Sequence, residues 1–193
     1  MKNGVISMYH ALGCIEYKTV IAGVMATDQM IKTATVQIIH GQVVHPGKYV
    51  VFLAGGLGAL QAVIEKGKRD FPDDVIDDFL LGNIHPMVLQ GLQGKCEYQE
   101  TDALGMIETS SIPSIIVAAD LAAKTTKVDL IQLRLSKEMG GKAYVFFTGE
   151  LAAVDLSVQA GANYAKDQGF LVKKGVIPSP DPKTWNFILN QMQ

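Results

Sequence analysis

The chain has 193 residues, 48% hydrophobic and only 19% charged, which is more apolar side chain than two small domains need for their cores. Its formal net charge of -2 provides no basic surface for nucleic acid. The longest apolar runs, such as residues 50–54, are too short to span a membrane. Residues 1–10 lack the apolar stretch of a signal peptide, and two cysteines are too few for a disulfide framework, so we expect a cytoplasmic protein.

An internal repeat divides the chain into two halves. Residues 11–16 read ALGCIE and residues 103–108 read ALGMIE, and this offset of 92 gives 11 identities over residues 11–39. The offset becomes 94 after residue 47 and returns to 92 where Ile84-His85-Pro86 matches residues 176–178. The repeat predicts two domains, residues 1–95 and 96–193.

The spacing of apolar residues predicts the same elements in both halves. In the first half they are a strand over 12–15, a helix ending near Thr33, strands over 36–39 and 49–53, a helix over 58–66 and a strand over 75–84. In the second half they are a strand over 104–107, a helix ending near Thr125, strands over 128–133 and 144–147, a helix over 151–164 and a strand over 171–177. A terminal helix is predicted over 183–192, with a shorter counterpart at 87–92. The predicted fold class is α/β of the α+β, ferredoxin-like type, with the order βαββαβ written twice.

This combination of elements and motifs resembles the bacterial microcompartment (BMC) shell domain. That domain has an Ala-Leu-Gly-x-Ile-Glu strand, a helix ending in lysine, a glycine-rich hairpin loop and a closing Ile-Pro. Residues 103–178 carry nearly all of these features and residues 11–86 carry a weaker copy. Two copies in one chain resemble the tandem class, and residues 81–86 and 139–142 are most similar to a trimeric member that carries an iron–sulfur cluster.

The resemblance implies a structural protein and not an enzyme. The tandem class forms homotrimers that imitate a hexamer, so three copies would form a pseudohexameric tile. The tile would join other shell proteins around encapsulated enzymes, with a central pore for small metabolites. Closed cyclic symmetry is also the usual outcome for a fold that repeats its own edges.

By the same resemblance, one glycine-bearing loop from each half lines the pore. These glycines are also explained by hairpin turns alone, which leaves both interpretations open. Three copies of one loop would convert a single charge into a ring of charges around the pore. The residues expected to line the pore are Val44, His45, Pro46, Gly47, Lys137, Glu138, Met139, Gly140 and Gly141.

Lys32 and Lys124 end the first helix of each half. A cation is favoured there by the helix dipole, whereas the resemblance places this lysine at the edge of the tile, against a neighbouring tile. The family's edge arginine, between two prolines, is replaced here by Ser179, which favours weaker or altered edge packing.

We expect no cofactor and no metal. The cluster-bearing relative has a cysteine directly after its Gly-Gly-Lys, where this chain has Ala143, and an iron–sulfur cluster needs cysteine ligands. Cys14 lies in a predicted buried strand and is expected to be a core residue. The alternative function is an electron-transfer or cofactor-conducting shell protein with a metal centre at the pore, which the missing thiolate disfavours. A third candidate is a trimeric enzyme with sites between subunits, but no Ser-His-Asp order or metal-ligand spacing is visible.

Two further sets of acidic residues recur or cluster. Glu16 and Glu108, like Asp28 and Asp120, occupy matching repeat positions, and we expect them to hydrogen-bond backbone groups or neighbouring subunits. Five aspartates within residues 70–78 have no counterpart in the second half and are expected to form a solvated face.

Overall fold

Each half of the chain forms a four-stranded antiparallel sheet with two helices against one face. The computed structural model describes residues 11–99, 101–135 and 140–190. The first half contains β1 (Leu12–Tyr17), α1 (Val20–Thr33), β2 (Gln37–Val44), β3 (Lys48–Ala54), α2 (Leu57–Asp70), β4 (Val75–Leu81) and α3 (Pro86–Leu92). The second half contains β5 (Ala103–Thr109), α4 (Ile112–Thr125), β6 (Asp129–Leu135), β7 (Ala143–Gly149), α5 (Leu151–Asp167), β8 (Leu171–Ile177) and α6 (Pro182–Asn190).

The strand orders are β2-β3-β1-β4 and β6-β7-β5-β8, so the two sheets share one topology. This confirms the predicted fold class of two repeated βαββαβ units. Several boundaries differ from the predicted ones, and two of them concern strands of the first sheet. β2 extends to Val44, and β4 ends at Leu81 because residues 82–85 turn the chain into α3.

The first helix of each domain starts at a hydroxyl cap. Thr19 Oγ1 accepts a hydrogen bond from the Ala22 amide at 3.2 Å, and Ser111 Oγ accepts one from the Ser114 amide at 3.1 Å. These side chains satisfy backbone donors that have no partner inside the helix. Both helices run for 14 residues, so α1 and α4 are equivalent elements of the repeat.

Strand pairing corrects the sequence alignment of the last strand. Leu12 pairs with Leu81, and its repeat equivalent Leu104 pairs with Ile177. The last strands are therefore offset by 96 residues and not by 92. Pro86, at the start of α3, corresponds to Pro182 at the start of α6. The predicted match of Pro86 with residue 178 was wrong. Pro86 follows the cap of a helix, whereas the proline at 178 follows the end of strand β8, and the two short sequences look alike because each contains an isoleucine before its proline.

The two faces of the first sheet have different coverings. Ile15 and Tyr17 point to α1 and α2 and form one core with them. Cys14 and Phe52 point to the opposite side and share a core with the second domain, whose helix α4 lies against β1 and β4. Burial raises the pKa of the Cys14 thiol well above its usual value, which makes it the neutral core residue expected from the sequence.

The seam between the first sheet and α4 has a buried carboxylate at its centre. Glu16 Oε2 accepts from the Ile112 amide at 2.9 Å, and Glu16 Oε1 pairs with Lys48 Nζ at 3.1 Å. Lys48 Nζ also donates to the Ser110 carbonyl at 3.1 Å. The carboxylate thus meets both an ammonium and the positive end of a helix, the two partners that best offset its desolvation.

Asp77 adds a second carboxylate to the same seam. Its Oδ2 accepts from Ser114 Oγ at 2.6 Å and from Ser111 Oγ. Asp77 is buried, so the expectation that all five aspartates of residues 70–78 form a solvated face was wrong for this residue. Burial raises the pKa of both Asp77 and Glu16, although their hydrogen bonds and, for Glu16, the Lys48 ammonium act in the opposite direction.

These raised pKa values predict how pH changes stability. A carboxyl whose pKa is higher in the folded chain binds its proton more readily there. Its contribution to the free energy of unfolding therefore grows as pH falls from neutral toward the ordinary carboxyl range, and is lost as pH rises through the raised pKa. The variant E16Q cannot titrate at this position and keeps an acceptor for the Ile112 amide, so its stability should depend less on pH.

Urea unfolding at neutral pH and about two units lower measures this dependence. The variant E65Q changes an exposed glutamate of α2 and is the matched control, which should retain the wild-type dependence. An E16Q chain with the wild-type dependence would contradict the assignment.

Candidate functional site

The second sheet has an apolar face that its own domain leaves largely open. β5, β7 and β8 line a cavity of about 660 Å³ on this face, on the side away from α4 and α5. Helix α6 covers one end of the face, where Trp185 packs against Leu104 and Ile131. The floor of the open part is formed by Met106, Tyr144 and Phe146.

Each of these floor residues has an equivalent in the first sheet that is fully buried. Met106 corresponds to Cys14 and Phe146 to Phe52, because Met106 lies opposite Phe146 in the second sheet as Cys14 lies opposite Phe52 in the first. The first sheet buries these positions because α4 lies on them. The second sheet has no equivalent helix on it within the described part of the chain.

The polar rim of the open face repeats the ion pair of the seam. Glu108 Oε1 lies 3.2 Å from Lys142 Nζ, which matches the 3.1 Å pair of Glu16 with Lys48. Glu16 is fully buried, whereas Glu108 and Lys142 are both partly exposed. Glu16 and Glu108, which the sequence led us to expect in hydrogen bonds, are therefore both ion-paired. Only Glu16 also accepts a hydrogen bond from the N-terminus of a helix.

Helix α1 carries the complementary apolar surface. Ile21, Val24 and Met25 are 72%, 51% and 54% exposed. Their equivalents on α4, one repeat later, are Pro113, Ile116 and Val117, which are all buried. A surface helix normally exposes polar side chains, so three large apolar residues on one side of α1 indicate an unfilled contact.

The two hairpin loops predicted to line a pore lie next to each other. A Cβ atom at Gly141 would stand 3.3 Å from the His45 carbonyl oxygen and 2.9 Å from Lys48 Nζ. Gly47, Gly140 and Gly141 have φ values of 102°, 63° and 82°, in the region that glycine favours, so the hairpin-turn requirement holds for all three.

The remaining predicted pore residues divide into three groups. Val44 is buried at the end of β2, whereas His45 and Pro46 belong to the exposed loop between β2 and β3. Lys137, Glu138 and Met139 lie outside the described residues. The structure therefore brings the described parts of the two loops together, and the identity of a pore lining stays a prediction.

The two predicted edge lysines have different surroundings. Lys32 Nζ lies 2.5 Å from Asp28 Oδ2 on the exposed side of α1. Lys124 Nζ lies 2.5 Å from Asp120 Oδ2 and also donates to the Asn83 carbonyl of the first domain at 2.6 Å. Asp120 is buried and its Oδ1 accepts from the His85 amide at 2.7 Å, so this aspartate fastens the two domains.

The described residues contain no group of three or more side chains suited to hold a metal ion. Ala143, at the position where the resemblance would place a cluster ligand, is buried at the start of β7. Among the described residues, no helix is long and apolar enough to cross a bilayer.

Sequence reasoning did not find Asp77 or Lys173 as seam residues. Both lie in the last strand of their domain, opposite Glu16 and Glu108 respectively. The signal is available only from strand register, because the sequence alignment of this strand was shifted by four residues.

Comparisons with known proteins agree with this architecture. The model of the BMC domain matches residues 11–84 and again residues 103–180. Bacterial microcompartment shell protein PduT of Citrobacter freundii is 33% identical over 178 residues, which cover 92% of this chain and 97% of that protein. Bacterial microcompartment shell protein EutM of Salmonella typhimurium is 37% identical over 79 residues, covering 41% of this chain and 80% of that protein.

A solved structure gives the same result at the level of the fold. The crystal structure of a microcompartment protein from Desulfitobacterium hafniense DCB has a TM-score of 0.77 and 42% sequence identity, and the match covers 91% of this chain and 98% of that one. The chain therefore belongs to the bacterial microcompartment shell proteins, and it carries two BMC domains in tandem.

Proposed function

We propose that three copies of this chain close into a ring of six BMC domains, a pseudohexameric tile of a microcompartment shell. The ring joins other shell proteins in the wall of a cytoplasmic compartment that encloses enzymes, and small metabolites cross at its centre. Its role is structural and selective, and it is not itself an enzyme. The observation that carries this proposal is the contrast between the buried helix α4 and the exposed helix α1.

The seam inside the chain is the template for the seam between copies. Inside the chain, the open face of one sheet receives the first helix of the following domain. The second sheet offers the same face, with the same glutamate–lysine pair, and α1 offers the same helix. Placing α1 of another copy on this face covers Ile21, Val24 and Met25 and gives Glu108 a helix N-terminus.

A ring is compatible with this contact because the contact joins two different surfaces. A contact of this heterologous kind either closes into a ring or continues as a filament. The sheet face and α1 belong to different domains of one chain, so each copy uses each surface once. Three copies supply the six domains that a hexagonal tile needs, as in the tandem class this chain resembles.

The central opening follows from the position of the loops. The loop after β2 lies beside Gly141, so a threefold ring alternates loops from the two domains around its axis. Each charged group is then present three times, which makes the opening selective for solutes by charge. We place Val44, His45, Pro46, Gly47 and residues 137–141 in this lining.

Lys32 and Lys124 are placed at the outer edge of the tile. Each lies in the last turn of the first helix of its domain and has an aspartate partner one turn earlier. The long apolar stem of lysine can pack on an adjacent tile while the ammonium stays hydrated.

Replacing one apolar residue of α1 tests the ring. The variant M25E puts a charge in the proposed contact, where it would have to be buried against Met106 and Phe146, and should dissociate the trimer. Sedimentation equilibrium should give the wild-type protein a mass near three times that of the 20.8 kDa chain, and M25E a mass near that of one chain.

The matched control for this experiment is L156E. Leu156 lies on α5 and is 54% exposed, as Met25 is, but it lies on neither surface of the proposed contact. L156E should remain trimeric. A monomeric wild-type protein, or an M25E protein as trimeric as L156E, would overturn the ring.

Changing the charge of the loops tests the opening. In a threefold ring, H45D adds three carboxylates, so it should slow the entry of an anionic solute several-fold and leave a neutral solute of similar size unaffected. Shells assembled with each variant around an encapsulated reporter enzyme measure both rates. The uncharged variant H45N is the control, and equal anion entry in H45D and H45N would contradict the assignment.

A further inference from the structure

We propose that Lys173 of one copy pairs with Asp74 of the next copy, and that this ion pair makes the open face of the second sheet specific for α1 of another copy of this chain. The inference rests on the proposed trimer. The ion pair determines which helix binds to the open face, whereas the proposed trimer determines that a helix binds there at all.

The two sheets carry opposite charges at the same place in the seam. Asp77 of β4 pairs with Glu16, and Lys173 of β8 pairs with Glu108. Residues directly opposite each other in antiparallel strands point to the same side of the sheet. Lys173 therefore points to the open face, as Asp77 points to α4, and both line their seam beside the shared glutamate.

The carboxylate of Asp77 suits the helix that it meets. The start of α4 presents the hydroxyls of Ser111 and Ser114, which both donate to Asp77 Oδ2. A carboxylate near the positive end of a helix is also favoured by the helix dipole. A lysine in the place of Asp77 could not accept the hydrogen bonds that these two hydroxyls donate, and its positive charge would meet the unfavourable end of the helix dipole.

The start of α1 presents an acid at this point. Thr19 Oγ1 donates to Asp74 Oδ1 at 3.4 Å, and the Lys18 amide donates to the Asp74 carbonyl at 2.7 Å. The matching backbone bond in the second domain runs from the Ser110 amide to the Phe170 carbonyl, at 2.9 Å. Asp74 therefore stands beside α1 where an aromatic residue stands beside α4.

A second position also has a carboxylate in the first domain and an aromatic ring in the second. Tyr164 of α5 packs on the core that the two domains share, where burial first and then the charges of Asp77 and Asp78 raise its pKa. The residue that corresponds to Tyr164 on α2 is Asp70, at the offset of 94. Two carboxylates thus stand near α1 where aromatic rings stand near α4, and of these two Asp70 is paired with Lys66, which leaves Asp74 as the charge that faces a partner.

These charges separate the two seams. The face with Lys173 meets Asp74 when it receives α1, which is an attraction between opposite charges. The face with Asp77 would meet Asp74 if it received α1, which is a repulsion between like charges. Like charges brought together in an interface select against the wrong partner. Neither Lys173 nor Asp74 has an ion-pair partner within the described part of the chain, so both are available to a second copy.

Charge reversal and its rescue test the pair. The variants K173E and D74K each place like charges in every seam between copies, and each should raise the protein concentration at which half the trimer dissociates by about tenfold or more. The double variant D74K/K173E restores opposite charges and should regain most of the lost affinity. K127E carries the same charge change on an exposed loop lysine and should match the wild-type protein.

Sedimentation equilibrium of the full chain, at low and at raised salt, measures these affinities, and circular dichroism verifies that each variant is folded. The uncharged variants K173Q and D74N provide the same comparison if a reversal prevents folding: each should weaken the trimer, and their combination should cost no more than either alone. A double reversal no tighter than its single variants, in a protein whose wild type is trimeric, would overturn the ion pair and leave the ring intact. A monomeric wild type would overturn the ring itself.

Discussion

A sheet covered by helices on only one side leaves an apolar face that must be buried by something else, and this constraint governs the whole molecule. The first sheet meets it with α4, whose N-terminus lies on Glu16. Burying that carboxylate is costly in isolation, but Lys48 and the Ile112 amide satisfy both of its oxygens. The second sheet has the same unmet requirement and the same glutamate–lysine pair, so its geometry specifies the kind of surface it needs.

The high apolar content of the chain follows from the same constraint. Two domains of this size would not need Ile21, Val24 and Met25 on an exposed helix, or an aromatic floor under an open cavity. These side chains are placed like core residues of an interface. Their equivalents on α4 show the environment that such residues have when the contact is formed.

Most of the fold was predictable because the repeat supplied two independent readings of each element. Where one half was ambiguous, as for the helix over 87–92, the other half offered a longer version. The last strand was misaligned because Pro86 and residue 178 look alike in sequence but differ in role, one opening a helix and the other following a strand. Only hydrogen-bonding register separates these roles.

The candidate site was less predictable for a related reason. A sequence pattern indicates that a strand has an apolar face but not which element covers it. Asp77 was therefore expected to be solvated, although the start of α4 lies on it. The correspondence of Asp77 with Lys173 depends on the corrected offset. The hairpin glycines, by contrast, were recognisable because their positive φ is a local requirement.

Joining two domains in one chain allows the two seams to differ in chemistry. In a ring of identical single domains, every seam must use the same residues. Here the seam within the chain is held at high effective concentration by the connection through residues 93–102, so it needs no attraction at a distance. Hydrogen bonds from two serines to Asp77 serve this seam without a pair of opposite charges at that position. In the proposed ring the seam between copies forms by encounter, and opposite charges accelerate encounter and exclude wrong partners. This difference favours an acid, Asp77, in the seam within the chain and a lysine, Lys173, in the proposed seam between copies.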